Sequence, residues 1–227
     1  MLTNIFAQEA RPKIVHVGMV DKDIIEVVIE AQQMIRFSRS PYVKQKGDTL
    51  DKWGNLTRQK KHIGSITTGG KYITNDQLIG TSFETGNYSD VTRYSFLSKT
   101  DDTYKSAKNP LKVMRITKVK DLAKLEGGKV DGPKEHRLFF KLPAMLISGN
   151  KYTIQFTDPL IEAFEFEYND KAVRSSSIHC NHLGFAPEDP YKMAFLSFWL
   201  GPDGGRLDFK EGMEFHIIEA GSGNVVN

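Results

Sequence analysis

Few residues in this 227-residue chain have types and spacings that could do chemistry. Asp101 and Asp102 are adjacent, so in a strand they diverge and in a turn they cap backbone N–H groups. Glu165 and Glu167 alternate with Phe164, Phe166 and Tyr168, which places both carboxylates on one face of a strand. Glycoside hydrolysis needs two carboxylates held across a bound sugar. The i, i+2 spacing supplies no such cleft and reads as a solvated face. His179 and His182 bracket Cys180, the only cysteine. Residues three apart in a strand point to opposite faces, so the two histidines do not grip one ion. His179 lies on the face opposite Cys180, and neither histidine's placement implies a dyad with the thiol. Cys180 reads as a buried, inert thiol. The loop Asp203–Asp208 has two carboxylates but not the dense oxygen series of a calcium site. The expectation is therefore no catalytic residue, no metal and no cofactor. Trp53 remains, in a polar loop beside Gly54, with Tyr42 upstream. An exposed aromatic face can stack on the CH face of a sugar ring, so Trp53 and Tyr42 are the candidate ligand contacts. The competing reading of Trp53 is a loop plug over the core.

The elements that would position these residues are strands. Lys13–Met19 and Asp23–Ile29 are rich in Val and Ile around an Asp-Lys-Asp turn. Ile63–Thr67 and Lys71–Thr74 flank Gly69-Gly70, a hairpin signal. Leu78–Phe83, Val91–Leu97 and Lys112–Val119 are further strands. His136–Leu142 and Lys151–Phe156 alternate cleanly, with a Ser148-Gly149-Asn150 turn between them. Ile161–Tyr168 is a half-buried strand and Met213–Ala220 a late one. Ser38–Thr57 reads as loop, from its Ser-Pro, Lys-Gly-Asp and Trp-Gly-Asn clusters. Glu126–Lys134 reads as the clearest flexible connection. Met193–Leu200 is almost unbroken apolar sequence, expected as a strand buried on both faces with Trp199 in the core. Many short strands with regular turn punctuation predict an all-β, antiparallel β-sandwich.

Composition agrees with a globular β protein: 39% hydrophobic, 26% charged, with 14 Phe and 8 Tyr. A net charge of +3 with dispersed lysines gives no electrostatic case for nucleic acid. The basic run Arg58–His62 reads as a solvated strand edge or loop. No stretch reaches the roughly 18 apolar residues of a membrane helix, so no membrane partner is expected. Residues 1–11 lack a basic n-region and a full apolar core. They read either as a disordered start or as the remnant of a signal peptide.

One stretch carries a family resemblance. Ile178, Asn181, Gly184, Phe185, Pro187 and Lys192 stand in an order that resembles the opening of the immunoglobulin-like domain preceding the catalytic barrel of family 9 glycoside hydrolases. That opening usually reads I-x-V-N-Q-x-G-Y-x-P, then P-K and an apolar strand. Here Cys180 replaces Val, His182 replaces Gln, Phe185 replaces Tyr, and Tyr191 is inserted before Lys192. The resemblance covers about the last fifth of the chain. It implies that residues 12–170 form one β-sandwich domain and that 171–227 begin an immunoglobulin-like one. No catalytic residue carries over, because the family's carboxylates belong to its barrel. What it implies is a non-catalytic module of a secreted carbohydrate-active enzyme, extracellular or periplasmic. Its partner would be a catalytic domain of the same polypeptide, with a polysaccharide as a further candidate. A glycan-binding module without an enzyme is the alternative. An immunoglobulin-like sandwich needs about 100 residues, and 171–227 is shorter, so the expectation is a fragment with an uncovered apolar face.

Overall fold

The computed structural model describes residues 11–83, 86–126, 129–181, 183–186, 188, 190–213, 216–219 and 221–226. Residues 1–10 of the expected leader at 1–11, the second histidine of the Cys180 cluster, His182, and Pro187 of the family resemblance lie outside them. The fold is all-β with antiparallel sheets, as the turn spacing predicts. The described residues include two 3-10 turns, Val91–Arg93 and Asp102–Tyr104, and no α-helix. Along the chain run β1 (Lys13–Asp21), β2 (Ile24–Ala31), β3 (Gln33–Ile35), β4 (Arg39–Pro41), β5 (Asp48–Leu50), β6 (Asn55–Arg58), β7 (Lys61–Ile66), β8 (Lys71–Thr74) and β9 (Gln77–Ile79). Then come β10 (Tyr94–Leu97), β11 (Lys112–Val119), β12 (Ala123–Lys124), β13 (Val130–Asp131), β14 (Lys134–Lys141), β15 (Lys151–Phe156) and β16 (Phe164–Glu167). The last are β17 (Ile178–His179), β18 (Phe195–Leu196), β19 (Ile217–Ile218) and β20 (Val225–Val226).

Sheets form in the orders β4-β8-β7-β6-β5, β1-β2-β14-β11 and β10-β15-β16, with two-stranded ribbons β3-β9, β12-β13, β17-β18 and β19-β20. The chain divides into two compact units. The first comprises the segment up to Lys13, Glu30–Phe83 and Thr117–His136; the second comprises Ile14–Ile29, Glu84–Ile116 and Arg137–Asn227.

The first unit is built on the five-stranded sheet. Its strands are short because turn residues cut them. Ser38–Thr57, expected as loop, contains β4, β5 and most of β6. Pro41, Gly47 and Gly54 mark the joints between those strands rather than one long loop, and Glu126–Lys134 likewise contains β13, paired with β12. The basic run Arg58–His62 is the β6–β7 hairpin itself. Gln59 and Lys60 both take positive φ, 50° and 67°, the twist a two-residue hairpin demands. Gly64 in β7 is required: a Cβ there would lie 2.2 Å from the Ile73 carbonyl and 2.8 Å from the Tyr72 ring, at φ +151°. The Tyr72 hydroxyl donates to the Ile63 carbonyl at 2.7 Å, which locks that ring over the glycine.

The second unit has an aromatic core. The apolar faces of β10 and β15 meet one face of β14: Phe140 contacts Tyr94 and Phe96 edge-on, with centroids 4.9 and 5.4 Å apart. Tyr104 meets Tyr152 in the same geometry at 5.6 Å. The next residue along β14, Phe139, points to the other face, where it packs with Val20, Ile24, Met114 and Leu200 and edge-on against Phe198. So β14 is buried on both faces, where the alternation of His136–Leu142 predicts one buried face: Phe139 fills the side that the alternation leaves to solvent. Burial pushes the Tyr94 and Tyr104 hydroxyls up to about 12. Tyr152 rises as well, from burial first and then from its bond to Asp101.

Met193–Leu200 departs from expectation. Only Phe195–Leu196 is strand, and both residues are exposed. Trp199, expected in the core, is 54% exposed, whereas Leu200 is buried. The anchored part is the turn that follows. Gly201 at φ +88° would place a Cβ 2.3 Å from the Arg115 carbonyl, and a Cβ at Gly204 would lie 2.8 Å from the Met114 sulfur. The chain therefore presses its backbone onto β11 where a side chain would hold it off.

Candidate functional site

Asp51 builds the mounting of Trp53. Its Oδ1 accepts from the Trp53 and Asn55 backbone N–H groups, each at 2.9 Å, and its Oδ2 accepts from the Asn55 side chain at 2.8 Å. Gly54 donates to the Asp51 carbonyl, takes φ +83°, and sits where a Cβ would strike the Ile66 carbonyl. These bonds hold the Asp51 carboxyl below its ordinary range. The result is a fixed turn carrying an indole that is 74% exposed, with Lys52 Nζ 4.4 Å from the ring centroid. Trp53 is therefore not a plug over the core.

Tyr42 has a different role. Its hydroxyl donates to Asp48 Oδ2 at 3.1 Å, and Asp48 is gripped by Arg58 through Nε at 2.7 Å and Nη2 at 3.3 Å. The guanidinium, ahead of the Gln45 N–H, holds Asp48 down to about 2. Asp48 pairs with Arg58 at the open end of the β5–β6 hairpin, while Trp53 lies in its closing turn. Tyr42 thus serves the Asp48–Arg58 pair, and Trp53 is mounted on the closing turn.

What the structure does assemble in this unit is a groove of about 470 Å³ beside β8. Ser65 and Ile73, opposite each other in the β7–β8 register, form its floor. Phe37 lines one wall and Leu122, Lys124 and Val130 the other. Asp76, only 5% exposed, spans the two: Oδ1 accepts from the Phe37 N–H at 2.6 Å and Oδ2 from the Lys124 N–H at 2.8 Å, while its own N–H donates to the Lys124 carbonyl at 3.0 Å. Arg36 adds a second tie, donating to the Leu122 carbonyl at 3.0 Å and pairing with Asp121. Arg39 lies over the Phe37 ring, 5.4 Å from its centroid. No sequence window signals Asp76, because its partners lie 39 and 48 residues away.

The second unit holds a smaller cavity of about 290 Å³, lined by His16, Met19, Ile25, Phe166, Tyr168 and Arg174 among others. A Cβ on Gly18 would meet both His16 Nε2 and the Arg174 carbonyl at 2.8 Å, so this cavity rests on a close backbone approach. Beside it, buried Glu26 accepts from Arg137 Nη1 at 3.0 Å and from the Ser176 hydroxyl.

The candidate acids are engaged as structural groups. Asp101, 2% exposed, accepts from the Thr103 N–H and from the Tyr152 hydroxyl at 2.6 Å. Glu165 and Glu167 lie on the exposed face of β16. Asp203 accepts from the Tyr88 hydroxyl, and its carbonyl accepts from Lys112 Nζ at 2.7 Å. Cys180, expected to be buried, is exposed, because its segment lies open rather than within a sandwich. His179 Nε2 is 2.9 Å from the Ser197 carbonyl, a backbone tie between β17 and the residue after β18. Among the described residues no group of three His, Cys, Asp or Glu is placed to hold a metal ion. No helix among them is long and apolar enough to cross a membrane.

No family model, curated protein or solved structure matches the chain.

Proposed function

We propose that the chain is a non-catalytic β module of an extracellular or periplasmic carbohydrate-active enzyme. Residues 178–226 pack against a catalytic domain of the same polypeptide. One observation supports this most: the side chains of that segment that ought to be core are in water. Ile178, Leu183, Tyr191, Met193, Phe195, Trp199 and Ile217 are all more than half exposed. Large apolar side chains left in water in such number are what an interaction site leaves exposed when its partner is absent. Around it, Asn181 forms a tight turn, accepting from Leu183 N through its side chain and from Gly184 N through its carbonyl, with Gly184 at φ +77°. The Asn181–Gly184 spacing therefore has a local structural reason in this chain.

The test is the intact mass, with both terminal peptides, of the protein as its natural host makes it. A longer product containing a hydrolase domain supports the proposal; a product ending at Asn227 overturns the packing role. Polysaccharide hydrolysis by the 227-residue chain, abolished by a single carboxylate substitution, overturns its non-catalytic character. A second reading, a stand-alone glycan-binding module, is favoured by the fixed turn that presents Trp53.

A further inference from the structure

We propose that the groove between β8 and the β12–β13 ribbon seats an oligosaccharide, its pyranose rings lying against Phe37, Ile73, Leu122 and Val130. This rests on the glycan-binding reading and moves its centre away from Tyr42. The groove's volume of about 470 Å³ falls within the range of small-ligand sites, about 300–1,000 Å³. Its lining is of two kinds. Phe37, Leu122 and Val130 are 40%, 63% and 65% exposed, so apolar surface lies open to water. Interleaved with it are Ser65, Thr74, Asn75 and Lys124, which carry hydroxyl, amide and ammonium groups. A pyranose ring offers the complementary pair of surfaces, an apolar CH face and a rim of hydroxyls. Small-molecule sites generally combine apolar walls with a few convergent polar groups in this way.

The alternative occupant of such a slot is an extended peptide that adds a strand, and the backbone argues against it. Strand addition needs an open sheet edge. β8 is an interior strand, between β4 and β7. On β12, the Lys124 N–H and carbonyl are both taken by Asp76. No ladder is on offer along β8 or at Lys124, so at these points recognition falls to rings and side-chain polar groups. The walls are also set in advance, since Asp76 and Arg36 tie both of them before any ligand arrives, and preorganisation lowers the cost of binding.

The experiment is calorimetric titration of the 227-residue chain with hexasaccharides of β-1,4-linked glucose, xylose and mannose and of α-1,4-linked galacturonate. At least one binds, and Phe37→Ala weakens it about tenfold or more, as loss of a central aromatic contact does. Val130→Asp, at a position too exposed to threaten folding, weakens it similarly and decides the matter if Phe37→Ala disturbs the fold. Loss in both groove variants supports the proposal, whether or not Trp53→Ala adds to it. Binding that survives both groove variants and disappears in Trp53→Ala overturns the groove but keeps the glycan-binding reading. No binding to any of the four overturns the groove and that reading together, and the packing role then stands or falls on the intact mass.

Discussion

Within the second unit, the β10-β14-β15 core and the ribbons β17-β18 and β19-β20 are made from similar sequence with opposite outcomes. Leu138–Phe140 in β14 and Phe195–Leu196 in β18 both belong to nearly continuous apolar runs. The first is wholly buried and the second is exposed. Phe140 has two aromatic neighbours across the layer, and Phe139 has Phe198 and Leu200 on the other side. The ribbons contribute two residues per strand, and Ile178, Phe195, Leu196, Ile217, Ile218, Val225 and Val226 on them are exposed. Apolar pattern states which residues want to be buried; a facing sheet decides whether they are. Between these extremes, the 198–207 turn is anchored by backbone contact at Gly201 and Gly204.

The sharpest way to break this contrast is truncation of a core ring. Phe140→Ala should cost about 3–5 kcal/mol in chemical denaturation, whereas Phe195→Ala should stay within about 0.5 kcal/mol. Equal losses would mean that the ribbons are packed. Tyr152→Phe comes next: it leaves a buried Asp101 oxygen and the Ile147 N–H, which donates to the Tyr152 hydroxyl at 2.8 Å, without that partner. The expected loss is about 1–3 kcal/mol. Gly201→Ala should cost a similar 1–3 kcal/mol from φ strain and the clash with Arg115, and a neutral result would detach the turn from β11. The tyrosines add a pH test. Their folded-state pKa values lie above the unfolded value near 10, so their contribution is complete below pH 10 and is lost as pH rises towards 12. Denaturation midpoints should fall across that window, and flat midpoints would contradict burial of the three hydroxyls. Asp48 works in the opposite sense: its carboxyl is depressed to about 2, so its contribution is present above the usual range near 4 and is lost as pH falls towards 2. The smallest effect concerns light. Acrylamide should quench both Trp53 and Trp199, and a shielded Trp199 would return the 193–200 run to the core.

The sequence carried the strands whose burial is settled locally. Lys112–Val119 and Lys151–Phe156 have the expected bounds, because alternation and flanking turns act within a few residues. The five-stranded sheet was harder to see. Its members are mostly three or four residues long, and their Pro and Gly joints read as loop. Trp199 and Cys180 are exposed where their apolar setting predicts burial, because burial depends on a second layer that no local pattern reports. Trp53 is exposed, which removes the loop-plug reading that its polar, glycine-flanked setting leaves open. The groove was invisible: Phe37, Asp76 and Lys124 meet only through long-range backbone pairing, and an aspartate after Thr74-Asn75 looks like any turn residue.

Asp76 has a mechanical consequence. Both walls of the groove hang from the two oxygens of one rigid carboxylate, so they behave as jaws on a common pivot and cannot shift independently. The gap between them is a length that this side chain sets together with the Arg36 tie to the Leu122 carbonyl. Adding one methylene at that position would change it by about one C–C bond, roughly 1.5 Å. Groove width is therefore a quantity that one codon can reset without touching either jaw.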